Sequence, residues 1–329
     1  MIIECHLPGK TVSNADLEAR FPDWSAQKVE DKIGINLRHV AAGNETALDL
    51  AFAASVKALG RFDKDKIDFL LLCTQSPDYF LPTSACVLQD RLGLRTDVGA
   101  LDINLGCSGF VYGLAMAKGL IKAGIAANVL LVTAETYSKH IHPADRANLS
   151  IFGDGAAATI LGVGDVERMF EFVLGTDGRG KDNLIVANGG ARGKAEGKAG
   201  EAVDEGGNFR SPDHLYMNGP EIFNFTIANV PVVVDEVLRR NSLAIDDIDY
   251  VVFHQANKYM LDYLRKKTKI PKEKFHNDML CTGNTVSSTI PIALRDCLDK
   301  GIVKNGDKVL LVGFGVGYSW GGVVLDIQC

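Results

Sequence analysis

The 329-residue chain has no cysteine pair at CxxC spacing, no apolar run near the length of a membrane span and no excess of positive charge. Each absence excludes something. The seven cysteines (Cys5, Cys73, Cys86, Cys107, Cys281, Cys297 and Cys329) are odd in number and scattered. That argues against a disulfide framework or a zinc site, and for a reducing, cytoplasmic setting. A spanning helix needs about 18 or more apolar residues, so no membrane partner is expected. The opening MIIECHLPGK lacks a basic segment followed by an apolar core, so no signal peptide is expected. A formal charge of −6 disfavours nucleic acid as a partner. What is present, 47% hydrophobic and 23% charged residues, is globular composition, and the length predicts two units.

Two stretches share one order of elements. Asp68 and FLLLC run into TQS; Asp249 and YVVF run into HQAN. A helix is predicted after each, over Thr83–Leu92 and Lys258–Thr268. Next comes a short strand, ALDINL in the first stretch and a weaker FHNDML in the second. Then a small-residue turn opens another helix: GCSGFVYGLAMAKGLIKAG against TGNTVSSTIPIALRDCLDKG, the latter predicted over Thr285–Leu298. Both stretches close on a buried strand, ANVLLVTAE and GDKVLLVGFG. Phe110, Leu114, Ala117 and Ile121 fall on one helical face. The strands are continuous apolar runs, as in strands covered on both sides. The expectation is an α/β fold of two duplicated halves around mainly parallel sheets, residues 1–165 and 166–329. Asn188–Asn208, rich in Gly and charge, is predicted to be a mobile surface loop. Its GKAEGKAG is no P-loop, lacking GxxxxGK before Ser or Thr.

Three polar residues fall at related turns. Cys107, flanked by Gly106 and Gly109, follows a strand and precedes a helix, where unpaired N–H groups and the helix dipole favour a thiolate. A buried structural cysteine is the competing reading. His254 ends the strand YVVF, in the place that Thr74–Gln75 hold in the first stretch, and strand ends of an open sheet converge on a crevice. Asn284 sits in the counterpart of the Cys107 turn, as a hydrogen-bond donor or as a helix cap. Together they read as a nucleophile with two polar helpers. GFGVGYSWGG after the last long strand exposes backbone N–H groups suited to an oxyanion hole. It does not open a long helix, which argues against a dinucleotide site.

CSGF at Cys107, HQAN at His254, GNT at Asn284, FGDGAAA at Phe152–Ala158 and GFGVGYSWG near the end resemble the β-ketoacyl-[acyl-carrier-protein] synthase III family, over the whole chain. The resemblance implies a thiolase-like αβαβα layered sandwich and a homodimer. It also implies an acyltransferase that condenses an acyl-CoA starter with malonyl-[acyl carrier protein] through an acyl-Cys107 thioester, losing CO2. His254 and Asn284 would then hydrogen-bond the enolate oxygen, and the N–H groups of Cys107 and Val316 would hold the acyl oxygen. Arg146 would stack on the adenine of CoA and Lys32 would take the place of a phosphate-binding Arg. Gly219, Phe223 and Asn257 would line the pantetheine path, and Leu81 the acyl pocket of a partner subunit. No metal and no resident cofactor are expected, acyl-CoA being a substrate.

The chain departs from the family pattern at several handles. Lys28 stands where the family has an adenine-stacking Trp, Val316 where Gly is common, and Leu81 where an aromatic residue is usual. Lys258–Tyr259 replaces a hydrophobic–Arg pair that contacts the carrier, and Asn224 replaces a frequent Lys. Arg265, Lys266 and Lys267 form a basic stretch that would offset this for an acidic carrier protein. These changes keep open a specialised relative that moves an acyl group to an amine, hydroxyl or other non-malonyl acceptor. A thiolase would need a second cysteine in GFGVGYSWGG, and a hydroxymethylglutaryl-CoA synthase a Glu near TQS; neither is there.

Overall fold

A computed structural model describes residues 1–191, 202–204 and 207–328. Residues 192–201 and 205–206, most of the predicted glycine-rich loop, lie outside the described residues, as does Cys329. In the described part of that segment, Ala202–Val203 pairs with Phe209–Arg210. Arg210 bridges Asp145 and Asp204.

The elements that position the site are, in chain order, β1 (Ile2–His6), α1 (Ala47–Leu59), β2 (Phe69–Cys73), α2 (Ser84–Leu92), β3 (Gly99–Ile103), α3 (Gly109–Lys122), β4 (Asn128–Glu135), β5 (Gly155–Gly162), β6 (Val173–Thr176), α4 (Gly219–Arg240), β7 (Tyr250–Phe253), α5 (Lys258–Lys267), α6 (Thr289–Asp299), β8 (Lys308–Gly315) and β9 (Ser319–Asp326). One sheet has the order β1-β5-β4-β2-β3, and the other β7-β8-β9-β6. The second repeats the first, with β7, β8, β9 and β6 in the places of β2, β4, β5 and β1.

Alternation along the strands builds the layers. In β2, Leu71 and Cys73 point to the face shared with α3, while Leu70 and Leu72 point to the face covered by α1 and α2. In β8, Val309 and Leu311 meet the central helices, and Leu310 and Val312 meet α4 and α5. Helices α3 and α6 therefore lie between two sheets, with further helices outside: five layers, αβαβα. Local chemistry fixes the helix ends. Thr46 and Asp49 form a reciprocal capping box on α1. The Asp102 carboxylate accepts from the N–H groups of Ser84 and Ala85, tying α2 to β3.

Three expectations are corrected. The sheets are mixed rather than mainly parallel: β2–β3, β2–β4 and β7–β8 are parallel, but β4–β5, β5–β1, β8–β9 and β9–β6 are antiparallel. Residues 136–154 and the Val316–Tyr318 turn contain no long helix to carry the chain across a sheet face, so the chain returns antiparallel. FHNDML is no strand; only Phe275 makes a bridge, to Val251. Helix α6 starts at Thr289, because Val286–Ser288 takes a 3-10 turn first.

Leu131 is fully buried in the central layer, and its methyl carbon would lie 2.5 Å from any Cβ placed on Gly113 of α3. Leu131→Ala should lower the unfolding free energy by about 2–5 kcal/mol. The check is a denaturant titration with an unchanged slope. A loss under about 1 kcal/mol would show that this layer is loosely packed.

Candidate active site

Cys107 sits in the turn between β3 and α3, two residues before the helix begins. The turn is wedged under the end of β8. A Cβ on Gly315 would lie 2.7 Å from both Cβ and Sγ of Cys107, and one on Gly313 would lie 2.8 Å from Ser108 Cα. Only glycine allows that approach. The N–H groups of Val316 and of Cys107 itself bear on the sulfur and stabilise its anion. Burial outweighs them: Cys107 is 6% exposed, and its thiol is pushed up to about 12. The expected thiolate-favouring setting is thus present but overridden by desolvation in the resting site.

His254 follows β7, and its N–H extends the strand ladder to Val312 C=O at 2.8 Å. Its Nδ1 lies 2.7 Å from Thr289 Oγ1, which leaves Nε2 for the cleft. Burial pulls the imidazole down to about 3, against the raising effect of the Val286 carbonyl, so the ring is neutral near pH 7. Asn284 is pinned where the chain enters the FGDG segment: its N–H donates to Ile151 C=O, and its C=O accepts from Gly153 N–H. Its Oδ1 accepts from Val286 N–H at 2.9 Å, and Nδ2 has a 3.5 Å contact to Ala256 C=O. Asn284 therefore closes a tight turn onto Val286 and does not cap α6. Val286 pays for this turn with φ of 55°, unusual for a β-branched residue.

Cys107, His254 and Asn284 line one cleft, together with Asn257, Thr226, Gly315 and apolar side chains that include Phe152, Leu184, Met217, Met260 and Phe314. Behind it stands a buried carboxyl. Glu135 is fully buried and accepts from Gln75 N–H, Ser76 Oγ and Ser287 Oγ. Burial raises it to about 8 despite those bonds. A thiol, a neutral imidazole, a carboxamide and inward N–H groups thus share one desolvated cleft.

The comparisons agree with this geometry. The profile described as 3-Oxoacyl-[acyl-carrier-protein (ACP)] synthase III matches residues 101–178, and its C-terminal counterpart matches 238–327. A β-ketoacyl-[acyl-carrier-protein] synthase III of Clostridium perfringens is 36% identical over 325 residues, 98% of this chain and 97% of that protein. The chain belongs to this family. It is an enzyme of the synthase III type, with the thiolase fold. A crystal structure of a 3-oxoacyl-(acyl-carrier-protein) synthase III superposes with a TM-score of 0.96 at 49% identity, covering 99% of this chain and 98% of that one. The Thermus thermophilus synthase III gives 0.88 at 34%, covering 100% and 98%.

The other residues expected from the family pattern are distributed unevenly. Asn257 lines the cleft and also caps α5, accepting from Met260 N–H. Gly219 and Phe223 lie in the first turns of α4, but Ile222 and Thr226 form the wall; Phe223 packs instead on Tyr259 and Tyr263. Lys32 is exposed on the helix Ala26–Ile33. Arg146 stands 5.2 Å from the ring of Trp24. Sequence reasoning missed this indole, because it lies four positions before Lys28, where the family Trp aligns. Leu81 is outside this chain's own cleft and 82% exposed. Arg265 donates to Ile270 C=O beyond the end of α5 and Lys267 to Ile227 C=O, and both Lys266 and Lys267 are exposed. No helix among the described residues is long and apolar enough to cross a membrane.

Gly315→Ala puts a methyl group on Cys107 and should cut its acylation by about 10², as expected for misplacement of a reacting group by about 1 Å. Intact-mass kinetics with an acyl-CoA read this directly. Wild-type acylation would mean that β8 yields and the contact is not limiting.

Proposed function

We propose that this synthase III condenses an acyl-CoA starter with malonyl-[acyl carrier protein], with Cys107 as the acylated nucleophile. The observation that carries the reading is that Cys107, His254 and Asn284 share one desolvated cleft, with the Val316 N–H directed at the sulfur. In the first half-reaction Cys107 Sγ attacks the thioester carbon and CoA leaves. The N–H groups of Cys107 and Val316 hold the carbonyl oxygen as it becomes anionic; a valine keeps that N–H as well as a glycine does. In the second, the malonyl carboxylate leaves as CO2 and the enolate oxygen is held by His254 Nε2–H and Asn284 Nδ2–H. A neutral imidazole suits this donor role, and burial keeps it neutral. The carbanion then attacks the acyl-Cys107 carbonyl and releases the product.

The handles fit the two substrates. The Trp24 and Arg146 faces offer stacking to an adenine, with exposed Lys28 and Lys32 on the next helix near phosphate. Lys266 and Lys267 give an otherwise acidic chain a local basic site for an acidic carrier protein. A homodimer is supported by two features. Among the described residues β3 is an edge strand paired only to β2, and Asp102 ties it to the start of α2, just after the loop bearing exposed Tyr79, Phe80 and Leu81. Such an edge beside an apolar patch calls for a partner. Leu81 would then reach the partner's acyl pocket.

Incubation with acetyl- or longer acyl-CoA should add one acyl mass to the wild type and none to Cys107→Ala; an acylated Ala variant overturns the assignment. Asn284→Ala should still acylate, and both Asn284→Ala and His254→Ala should lose about 10²–10³ in malonyl decarboxylation. Condensation at the wild-type rate by either would remove it from the enolate site. Lys266→Glu with Lys267→Glu should raise KM for malonyl-carrier protein and flatten its salt dependence. Unchanged kinetics would place docking elsewhere.

A further inference from the structure

A cavity of about 440 Å³ stands apart from the Cys107 cleft. It lies on the other side of the same loops. Gln255 follows His254, Gly283 and Thr285 flank Asn284, and all three line this rear cavity without lining the cleft. Thr289 lines it too, and Thr289 Oγ1 is the atom 2.7 Å from His254 Nδ1. One hydroxyl thus stands between the imidazole and a space large enough for several water molecules. The wall holds hydrogen-bonding groups for such water, including Gln255, Thr282, Thr285 and Asp296.

The chemistry needs a proton path there. Acylation removes a proton from the Cys107 thiol, and condensation returns one to its thiolate. On the condensation reading, both would happen with a substrate arm in the cleft lined by Cys107, His254 and Asn284. We propose that Thr289 relays these protons between His254 and the rear cavity. This rests on the condensation reading given above. In acylation, the S–H proton passes to His254 Nε2, Nδ1–H passes its proton to Thr289 Oγ1, and the hydroxyl proton passes to cavity water, while CoA departs as its thiolate and takes a proton from bulk solvent. His254 is left as the Nε2–H tautomer, the form that donates to the enolate. In condensation, the C–S bond of acyl-Cys107 breaks and the thiolate takes the Nε2 proton. Nδ1 takes the Thr289 hydroxyl proton, and cavity water resupplies the hydroxyl. The tautomer is then reset for the next cycle. In the resting structure Thr289 Oγ1 donates to Val286 C=O at 3.1 Å, so it accepts from Nδ1–H, the tautomer with which the cycle begins.

Thr289 is a positioning and relay residue, so its test separates proton transfer from shape. Thr289→Val keeps the branched side chain and removes the hydroxyl; Thr289→Ser keeps the hydroxyl. The Val variant should lose about 10² in condensation turnover, the usual worth of a positioned proton carrier. It should acquire a larger solvent deuterium isotope effect, and imidazole added to the assay should restore its rate with rising concentration. The Ser variant should behave like wild type. A Val variant with wild-type turnover overturns the relay. So does one that is slow with an unchanged isotope effect and no response to imidazole, since Thr289 would then only hold the ring. Failure of the wild type itself to acylate or condense would count against the reaction assignment, a different result from any of these.

Discussion

The close approach of β8 to the Cys107 turn is the constraint on which the site depends. Two duplicated halves can share a reaction centre only if the turn before α3 touches the middle strand of the other sheet. Gly313 and Gly315 make that possible, since neither has room for a methyl group against Cys107 and Ser108. Contact at this range excludes large side chains, so the seam is sewn by small hydroxyls. Ser108 meets Ser319 at 2.5 Å, Thr133 meets Ser288 at 2.9 Å, and Ser287 bonds Glu135 at 3.0 Å. Each pair joins one half to the other. The seam also sets the place of Val316, the first residue past β8, whose N–H bears on the sulfur.

Burial at that seam then decides the protonation states. It raises the Cys107 thiol, lowers the His254 imidazole and raises the Glu135 carboxyl. These shifts favour the uncharged form of every titratable group near the thiol. A site held neutral by desolvation, with N–H donors already directed inward, stabilises negative charge only where and when the reaction creates it. A permanent thiolate would be costly in such a place, and Glu135, when ionised, would raise the thiol further. The setting favours proton movement within the cycle over a standing ion pair.

Much of this was legible in the residues. The duplicated order of elements, the three polar turns and the FGDG segment were all visible, because each is a contiguous run with its own chemistry. Strand direction was not. A buried strand such as β5 reads as the same apolar run whichever way it points, and only the short helices of residues 136–154 decide its sense. The cleft wall was equally hidden. Leu184, Met217 and Met260 come from three separate segments and carry no local signal of a site. The start of α6 was misplaced because Asn284 looks like a helix cap, while its Oδ1 in fact serves Val286.

Trp24 offers a surface that a position-by-position comparison does not register. A family position is defined by chain register, but a ligand meets only surfaces. Here the register position holds Lys28, exposed on the helix Ala26–Ile33, and the indole lies just before that helix, against Arg146. Ser25 caps the helix by accepting from Lys28 N–H, so the cap fixes the path of the chain beside Trp24. The guanidinium over the ring holds two flat faces together at the 5 Å scale where cation–π attraction operates. A planar group entering there exchanges that attraction for its own stacking on both sides. What counts at such a site is the pair of faces, and a substitution at Lys28 leaves them untouched.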